Sequence, residues 1–311
     1  MKVNVVSKKS GSIMKNCLLK KTIILISFFT CSLFGYQYDL AIASIFQQEA
    51  RFMKEWIEFH RLIGVQHFYL YNDNSSDNFK EILDPYIKAG IVELYDYPRN
   101  EKNFFLHQVS AFDDALHKAT GLVKWLAIID LDEFIVPVKN DNLIDFLKNF
   151  EEYGGVCLNW LMFGTSSISK IEPNELMINK LIMCSGQTWW GHLKSIVRPE
   201  RVQGIHHAHI ATYKPGFFQV SANKIRFEGA FFDGPLDEIR INHYWTRDCY
   251  NMITKKIPRY ISFAPKDDYG MQLWKIHEAI EIVKKTNVAK DQAILKYSAK
   301  LEKMMNSQLT P

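Results

Sequence analysis

From Asp39 onward, short runs of apolar residues alternate with longer stretches in which apolar residues recur every three or four positions. The short runs read as strands at Leu40 to Ile45, His67 to Tyr71, Ile91 to Tyr95 and Trp125 to Ile129, all rich in β-branched or aromatic residues. Between them, Phe52, Trp56, Phe59 and Ile63 fall on one face of a helix predicted over Ala50 to Ile63. The same periodicity predicts helices over Phe79 to Lys88, with Gly90 placed for a left-handed residue after it, and over Gln108 to Lys118. Strand, helix, strand in strict alternation is the pattern of βαβ units, so the expected class is α/β with a mostly parallel sheet flanked by helices. Right-handed crossovers place the C-terminal ends of such strands on one edge, where ligands of open α/β sheets bind.

After Pro137 the alternation loosens. A helix over Leu143 to Phe150 and a strand over Val156 to Met162 precede a stretch rich in Trp, His and Gly, and lysine-rich helical segments follow Asp248. There is no internal repeat, no low-complexity tract and no Pro- or Gly-rich linker. The expected organisation is an N-terminal segment over residues 1–37, one α/β domain over 38–260 and a C-terminal helical extension over 261–311.

Charge matters mainly at the N-terminus. The formal net charge is +4, but residues 1–21 hold six lysines and no acid, and without them 32 basic residues face 34 acidic ones. A body so close to neutral, with no basic stripe of interleaved aromatics, gives no electrostatic footprint for nucleic acid. The lysines precede an apolar run from Thr22 to Tyr36, the order found in export signals. The run is shorter than the roughly 20 residues a membrane-spanning helix needs, which favours a cleaved signal over a lasting anchor. Either places the protein outside the cytoplasm or on a membrane, and Met14 offers a second start that makes the signal more compact. With 47% hydrophobic and 23% charged residues the whole chain has an ordinary globular composition, and the three cysteines of its body, Cys157, Cys184 and Cys249, are too few for a disulfide framework or a zinc ribbon.

The sharpest chemical feature is WLAIIDLDEFIVP, residues 125–137, where an apolar run ends abruptly in Asp130, Asp132 and Glu133. In an extended chain Asp130 and Asp132 share a face and repel, and a divalent cation would keep both ionised. Their oxygens suit the hard cations Mg²⁺, Mn²⁺ or Ca²⁺, and such an ion on a diphosphate would neutralise the charge that develops as the diphosphate leaves. Directly after the second expected strand comes YNDNSSDN, residues 71–78, a turn-forming string in which Asp73 would accept hydrogen bonds from a nucleotide base or ribose. As a calcium loop it fails, with Asn78 where Gly is needed and Asp84 where Glu is needed.

The remaining candidates are weaker. His206, His207 and His209 cluster without a well-spaced further ligand, so satisfied polar contacts are expected of them rather than zinc. Trp189 and Trp190 could stack on an acceptor sugar, and Lys194, Arg198 and Arg201 could meet phosphate. No GxxxxGK[ST], GxGxxG, HExxH or GxSxG string occurs, which lowers the P-loop, dinucleotide, zincin and α/β-hydrolase readings.

Taken in order, these strings resemble glycosyltransferase family 92 and related family 2-like transferases. QEARFMKEWIEFHRLIGVQHFYLY at 48–71, YNDNSSD after it, Gln108, WLAIIDLDEF, NWLMFGTS at 159–166 and INHYWTRD ending near Lys255 follow the family's order. The resemblance implies a GT-A fold, Rossmann-like in its parallel sheet, and a nucleotide-sugar donor, in the first place a UDP-sugar, with a glycan or other hydroxyl acceptor. It implies Asp130 and Asp132 as holders of Mn²⁺ or Mg²⁺, His243 as a further metal or diphosphate contact, and Glu49, Asp73, Gln108 and Lys255 near the nucleotide. Such enzymes mostly invert, which requires a base for the acceptor hydroxyl. Asp233 and Glu238 are the candidates for it, while Glu133, next to Asp132, should point away in a regular strand. A nucleotidyltransferase using the same carboxylates, and a non-catalytic carbohydrate-binding protein on a transferase scaffold, are the competing readings.

Overall fold

The structure, a computed structural model, describes residues 35–99 and 103–307. The N-terminal segment through residue 34, and with it all but the last two residues of the expected export or anchor run, lies outside the described residues. Among the described residues no helix is long and apolar enough to cross a membrane.

The first half follows the expected alternation. Strands β1 (Tyr38–Phe46), β2 (His67–Asn72), β3 (Val92–Asp96) and β4 (Val123–Ile128) lie in the order β3-β2-β1-β4, all parallel. Helices α1 (Ala50–Leu62), α2 (Phe79–Lys88) and α3 (Phe104–Ala119) supply the crossovers. β1 is buried on both faces, and its alternation sorts its side chains into two cores. Leu40, Ile42 and Phe46 join Phe52, Trp56 and Phe59 of α1, whereas the small Ala41 and Ala43 let Ala111, Phe112 and Ala115 of α3 approach closely. Gly90 has φ +70°, as a residue closing a helix in the left-handed region should. Trp56 also donates its indole N–H to the carbonyl of Glu133 at 2.7 Å, and truncating this fully buried side chain to alanine would cost roughly 3–5 kcal/mol.

Beyond β4 the sheet becomes mixed. Strands β5 (Glu133–Pro137), β6 (Gly155–Phe163), β7 (Met183–Val197) and β11 (Ile239–His243) extend it in the order β4-β7-β6-β11-β5, with β6 and β11 parallel and the other neighbours antiparallel. Short strands β8 (Val202–Gly204) and β9 (Thr212–Tyr213) form a separate hairpin, and β10 (Gln219–Ser221) adds to β6. The long β7, bulged against β6, passes through the Trp- and Gly-rich region that the sequence pattern left without an element. Buried Glu55 of α1 fixes the short helical turn Met177–Lys180 before β7 by accepting the backbone N–H groups of Met177 and Ile178 at 2.9 and 3.0 Å.

The last part of the chain contributes α4 (Tyr269–Lys285), β12 (Ala289–Lys290) and α5 (Ser298–Asn306). β12 pairs antiparallel with β7, and Ile294, Tyr297 and Leu301 are fully or almost fully buried in the same core as α1. The Tyr297 hydroxyl donates to the carbonyl of Pro137 at 2.9 Å, tying this segment to the end of β5.

Candidate active site

A cavity of about 290 Å³ opens at the C-terminal edge of β1, β2 and β4, the edge anticipated for an open α/β sheet. Phe46 and Glu49 come from the end of β1 and the loop after it, Asp73 from the end of β2, and Asp130 and Asp132 from the segment after β4. His243 closes one wall from the end of β11.

The two aspartates reach the cavity by a route different from the expected one. β4 stops at Ile128, and the backbone N–H of Glu133 returns to the carbonyl of Asp130 at 3.0 Å, so residues 130–133 form a turn and not a continuous strand. The turn is held from inside by Glu133, whose Oε2 accepts the backbone N–H of Asp130 at 2.9 Å. Glu133 therefore does not point away to the far face; it lies fully buried beneath the turn, 3.8 Å from Lys194 Nζ. Burial pushes the Glu133 carboxyl well above its ordinary range, Lys194 opposes this, and Asp130 adds to it.

Each aspartate has its own cation. Asp130 accepts from Gln108 Nε2 at 2.6 Å and from Lys194 Nζ at 2.9 Å. Asp132 accepts from Lys256 Nζ at 2.6 Å, with His243 Nε2 3.4 Å from its other oxygen. Burial works against ionisation of Asp132, but Lys256 and then His243 outweigh it and hold the carboxyl well below the usual range. The buried Lys194 ammonium is likewise disfavoured by burial, yet Asp130 and Glu133 raise its affinity for the proton.

Among the described residues no group of three or more His, Cys, Asp and Glu side chains is placed to hold a metal ion. Asp132 and His243 nevertheless form an adjacent oxygen and nitrogen pair on the cavity wall, with Asp130 beside them. Buried His243 Nδ1 and Glu133 Oε1, 3.9 Å apart, have no hydrogen-bond partner. This donor set fits an ion that keeps one or two protein ligands and completes its shell with phosphate oxygens and water, as Mg²⁺ commonly does.

The other expected residues distribute unevenly. Asp73 is 1% exposed and accepts the backbone N–H of Arg99 at 3.1 Å through Oδ1, while its Oδ2 has no hydrogen bond but lies 3.7 Å from Arg99 Nε. The rest of its loop is structural: Asp77 caps the start of α1 by accepting from Ala50 N, and Ser75 accepts from Gln48 N. Glu49 lines the cavity but is engaged by the buried Arg247 at 3.0 Å. Lys255 reaches the carbonyl of Gln48 at 3.4 Å and lines an adjoining cavity of about 390 Å³; its neighbour Lys256 lines both cavities, as does Arg259. Trp189 and Trp190, with ring centroids 4.9 Å apart, line a separate cavity. Asp233 accepts from the Thr188 hydroxyl at 2.6 Å, and the carbonyl of Glu238 accepts from Val138 and Lys139; neither side chain lines the aspartate cavity. His207 and His209 are taken up in local contacts, with His209 Nδ1 at 2.8 Å from the Leu193 carbonyl.

Sequence reasoning did not single out Lys256, Arg259 or Trp160. Trp160 lines the cavity, meets His243 edge to face at 4.3 Å and stacks on His192 at 5.0 Å. Lys256 ends a π-helical turn, Met252–Lys256, whose wider spacing shifts the side chains relative to an α-helix and brings Lys256 rather than Lys255 to Asp132. No local sequence signal marks that change of period.

The family model of glycosyltransferase family 92 matches residues 38–232. A family 92 protein of Ricinus communis is 27% identical over 196 residues, covering 60% of this chain and 34% of that protein. The β-1,4-galactosyltransferase galt-1 of Caenorhabditis elegans is 30% identical over 186 residues, 56% of this chain and 43% of that one. A galactan β-1,4-galactosyltransferase of Arabidopsis thaliana is 31% identical over 107 residues, 32% and 21% of the respective chains. The chain thus spans about a third of the length of the first curated relatives it matches. Of solved structures, Staphylococcus aureus TarS 1–349 with UDP-GlcNAc shares 11% identity and a TM-score of 0.33 over 79% of this chain and 81% of that one, a likeness too slight to argue from. With the family model covering well over half of its residues, on a sheet whose edge gathers the family's ordered motifs, the chain belongs to glycosyltransferase family 92.

Proposed function

We propose that this protein is a glycosyltransferase that moves a sugar from a nucleotide-sugar donor, a UDP-sugar, to a hydroxyl of a glycan acceptor with inversion at the transferred carbon. The observation that carries this reading is the convergence of Asp73, Asp130, Asp132 and His243 on one cavity at the C-terminal edge of the parallel strands. The galactosyltransferase names of the Arabidopsis and Caenorhabditis relatives make UDP-galactose the first donor to test.

In this reading the buried Oδ2 of Asp73, which has Arg99 Nε at 3.7 Å but no hydrogen bond, accepts one from the base or ribose, because a buried carboxylate oxygen without a hydrogen bond is costly. Lys256 and Arg259 present positive charge to the diphosphate. Asp132 and His243, with Asp130 beside them, are the residues that would hold Mn²⁺ or Mg²⁺. Such an ion, when bound, would supply Lewis-acid stabilisation of the leaving diphosphate. Asp233 is kept as the candidate base on the acceptor side, since it accepts from Thr188, which lines the same cavity as Trp189 and Trp190, although it does not line the aspartate cavity. Trp189 and Trp190, in their own cavity, would serve an acceptor extending away from the donor. The lysine-rich, apolar N-terminus would export the domain or tether it to a membrane.

The test is thermal unfolding of the full chain with UDP, GDP or CDP, each with and without Mn²⁺. A ligand confined to the folded state stabilises it by about 2.7 kcal/mol at a hundred times its dissociation constant. A shift that requires UDP and Mn²⁺ together is expected, followed by UDP release from UDP-galactose in the presence of a glycan acceptor. Well-folded protein that shifts with no pair would overturn the reading.

A further inference from the structure

The two lysines at the aspartate turn are held very differently. Lys194 is 1% exposed, lies on β7 within the sheet, and is fixed by Asp130, by the Ala208 carbonyl at 3.3 Å and by the nearby Glu133. Lys256 belongs to a short π-helical turn outside both apolar cores, and its side chain stands where two cavities meet. Its one hydrogen bond within the described residues runs to Asp132 Oδ2 at 2.6 Å, with the two side chains 13% and 11% exposed. That oxygen belongs to the carboxylate that, with His243, offers the cavity's adjacent donor pair. An ammonium and a divalent ion cannot both neutralise it at contact distance without repelling one another.

We propose that Lys256 is an exchangeable counter-ion: it neutralises Asp132 in the free chain, and moves to the donor's diphosphate when a divalent ion arrives with the nucleotide and takes Asp132. This rests on the donor reading above, but goes beyond it by giving one residue two opposed effects. While bound to Asp132, Lys256 competes with the metal and lowers the affinity of the free chain for it. Once released, it adds positive charge to the diphosphate and raises the affinity for metal-loaded nucleotide. Arg259, on the wall of both cavities, borders the same path.

The experiment compares the full-length protein with Lys256→Met and Lys256→Arg. Mn²⁺ alone is titrated by the electron paramagnetic resonance of the free ion, and UDP in saturating Mn²⁺ by calorimetry. Lys256→Met should bind Mn²⁺ alone about tenfold more tightly and Mn²⁺-loaded UDP about tenfold more weakly, whereas Lys256→Arg should follow the wild type toward Mn²⁺. A merely structural lysine would move both affinities downward together. Mn²⁺ affinity that is unchanged or weaker in Lys256→Met, or UDP affinity that is unchanged, overturns the proposal. Wild-type protein that binds Mn²⁺ but no UDP sinks the donor reading and the diphosphate half of the proposal with it; because this shows in the wild type, it is distinct from a failure confined to the variant.

Discussion

Arg247 Nη2 lies 3.0 Å from Glu49 Oε2, joining the end of the family's last motif to the loop after the first strand. The guanidinium is 1% exposed and the Glu49 side chain 15%, so this is a largely desolvated pair. Removing one member of such a pair leaves a buried charge uncompensated. Glu49→Ala should therefore destabilise the protein by about 3 kcal/mol. Chemical denaturation measures this; a variant of native stability with weaker UDP binding would instead make Glu49 a direct nucleotide contact.

Asp132 should be indispensable to metal-dependent nucleotide binding. Asp132→Ala removes an oxygen from the Asp132 and His243 pair and leaves Lys256 without its partner. Since the carboxylate sits in a turn at a cavity wall, the variant should fold, as judged by circular dichroism. It should lose the Mn²⁺-dependent part of UDP affinity, at least tenfold by calorimetry. A folded variant with unchanged affinity would remove Asp132 from the metal set.

His60 makes the fold sensitive to acid. Its Nδ1 donates to the Trp56 carbonyl at 2.8 Å and its Nε2 accepts the backbone N–H of Ile135 at 3.2 Å, an arrangement available only to the neutral ring. Burial lowers its proton affinity, with the Trp56 hydrogen bond opposing, to a pKa of about 3. The unfolded chain thus binds the proton first: stability is fully present above about pH 6.5 and is lost as pH falls toward 3. The loss attributable to this residue is on the order of 4 kcal/mol. Denaturation midpoints of wild type and His60→Gln between pH 7 and 4 should show a flatter profile for the variant.

The C-terminal segment should matter to stability as much as the sheet does. Leu301 is fully buried against the α1 core, and Leu301→Ala should cost roughly 2–4 kcal/mol. Tyr297→Phe loses the hydrogen bond to the Pro137 carbonyl and should cost about 1 kcal/mol. If both substitutions leave the denaturation midpoint unchanged, this segment is not part of the cooperative unit.

The first four strands, three helices and the edge that carries the cavity were legible because a parallel βαβ series repeats one strong signal, an apolar run followed by an amphipathic helix. Gly90 was legible for the same local reason. Less visible was whatever depended on distant partners. The turn at Asp130 is made by Glu133 reaching back under Lys194, 61 residues further along the chain, and periodicity cannot report it. Lys256 was hidden behind Lys255 by a single change of helical period. β7 and β12 were missed because bulges and a two-residue strand leave no alternation to read.

The cavity takes one wall from residues 45–49 and another from Lys256, Arg259 and Tyr260. A chain emerging from the ribosome at about 5–20 residues per second would display its parallel strands and both aspartates for many seconds before the basic wall was made. Any nucleotide affinity that depends on this wall would therefore arise late in synthesis, and nucleotide binding would serve as a readout that residues 256–260 have met the edge of the sheet.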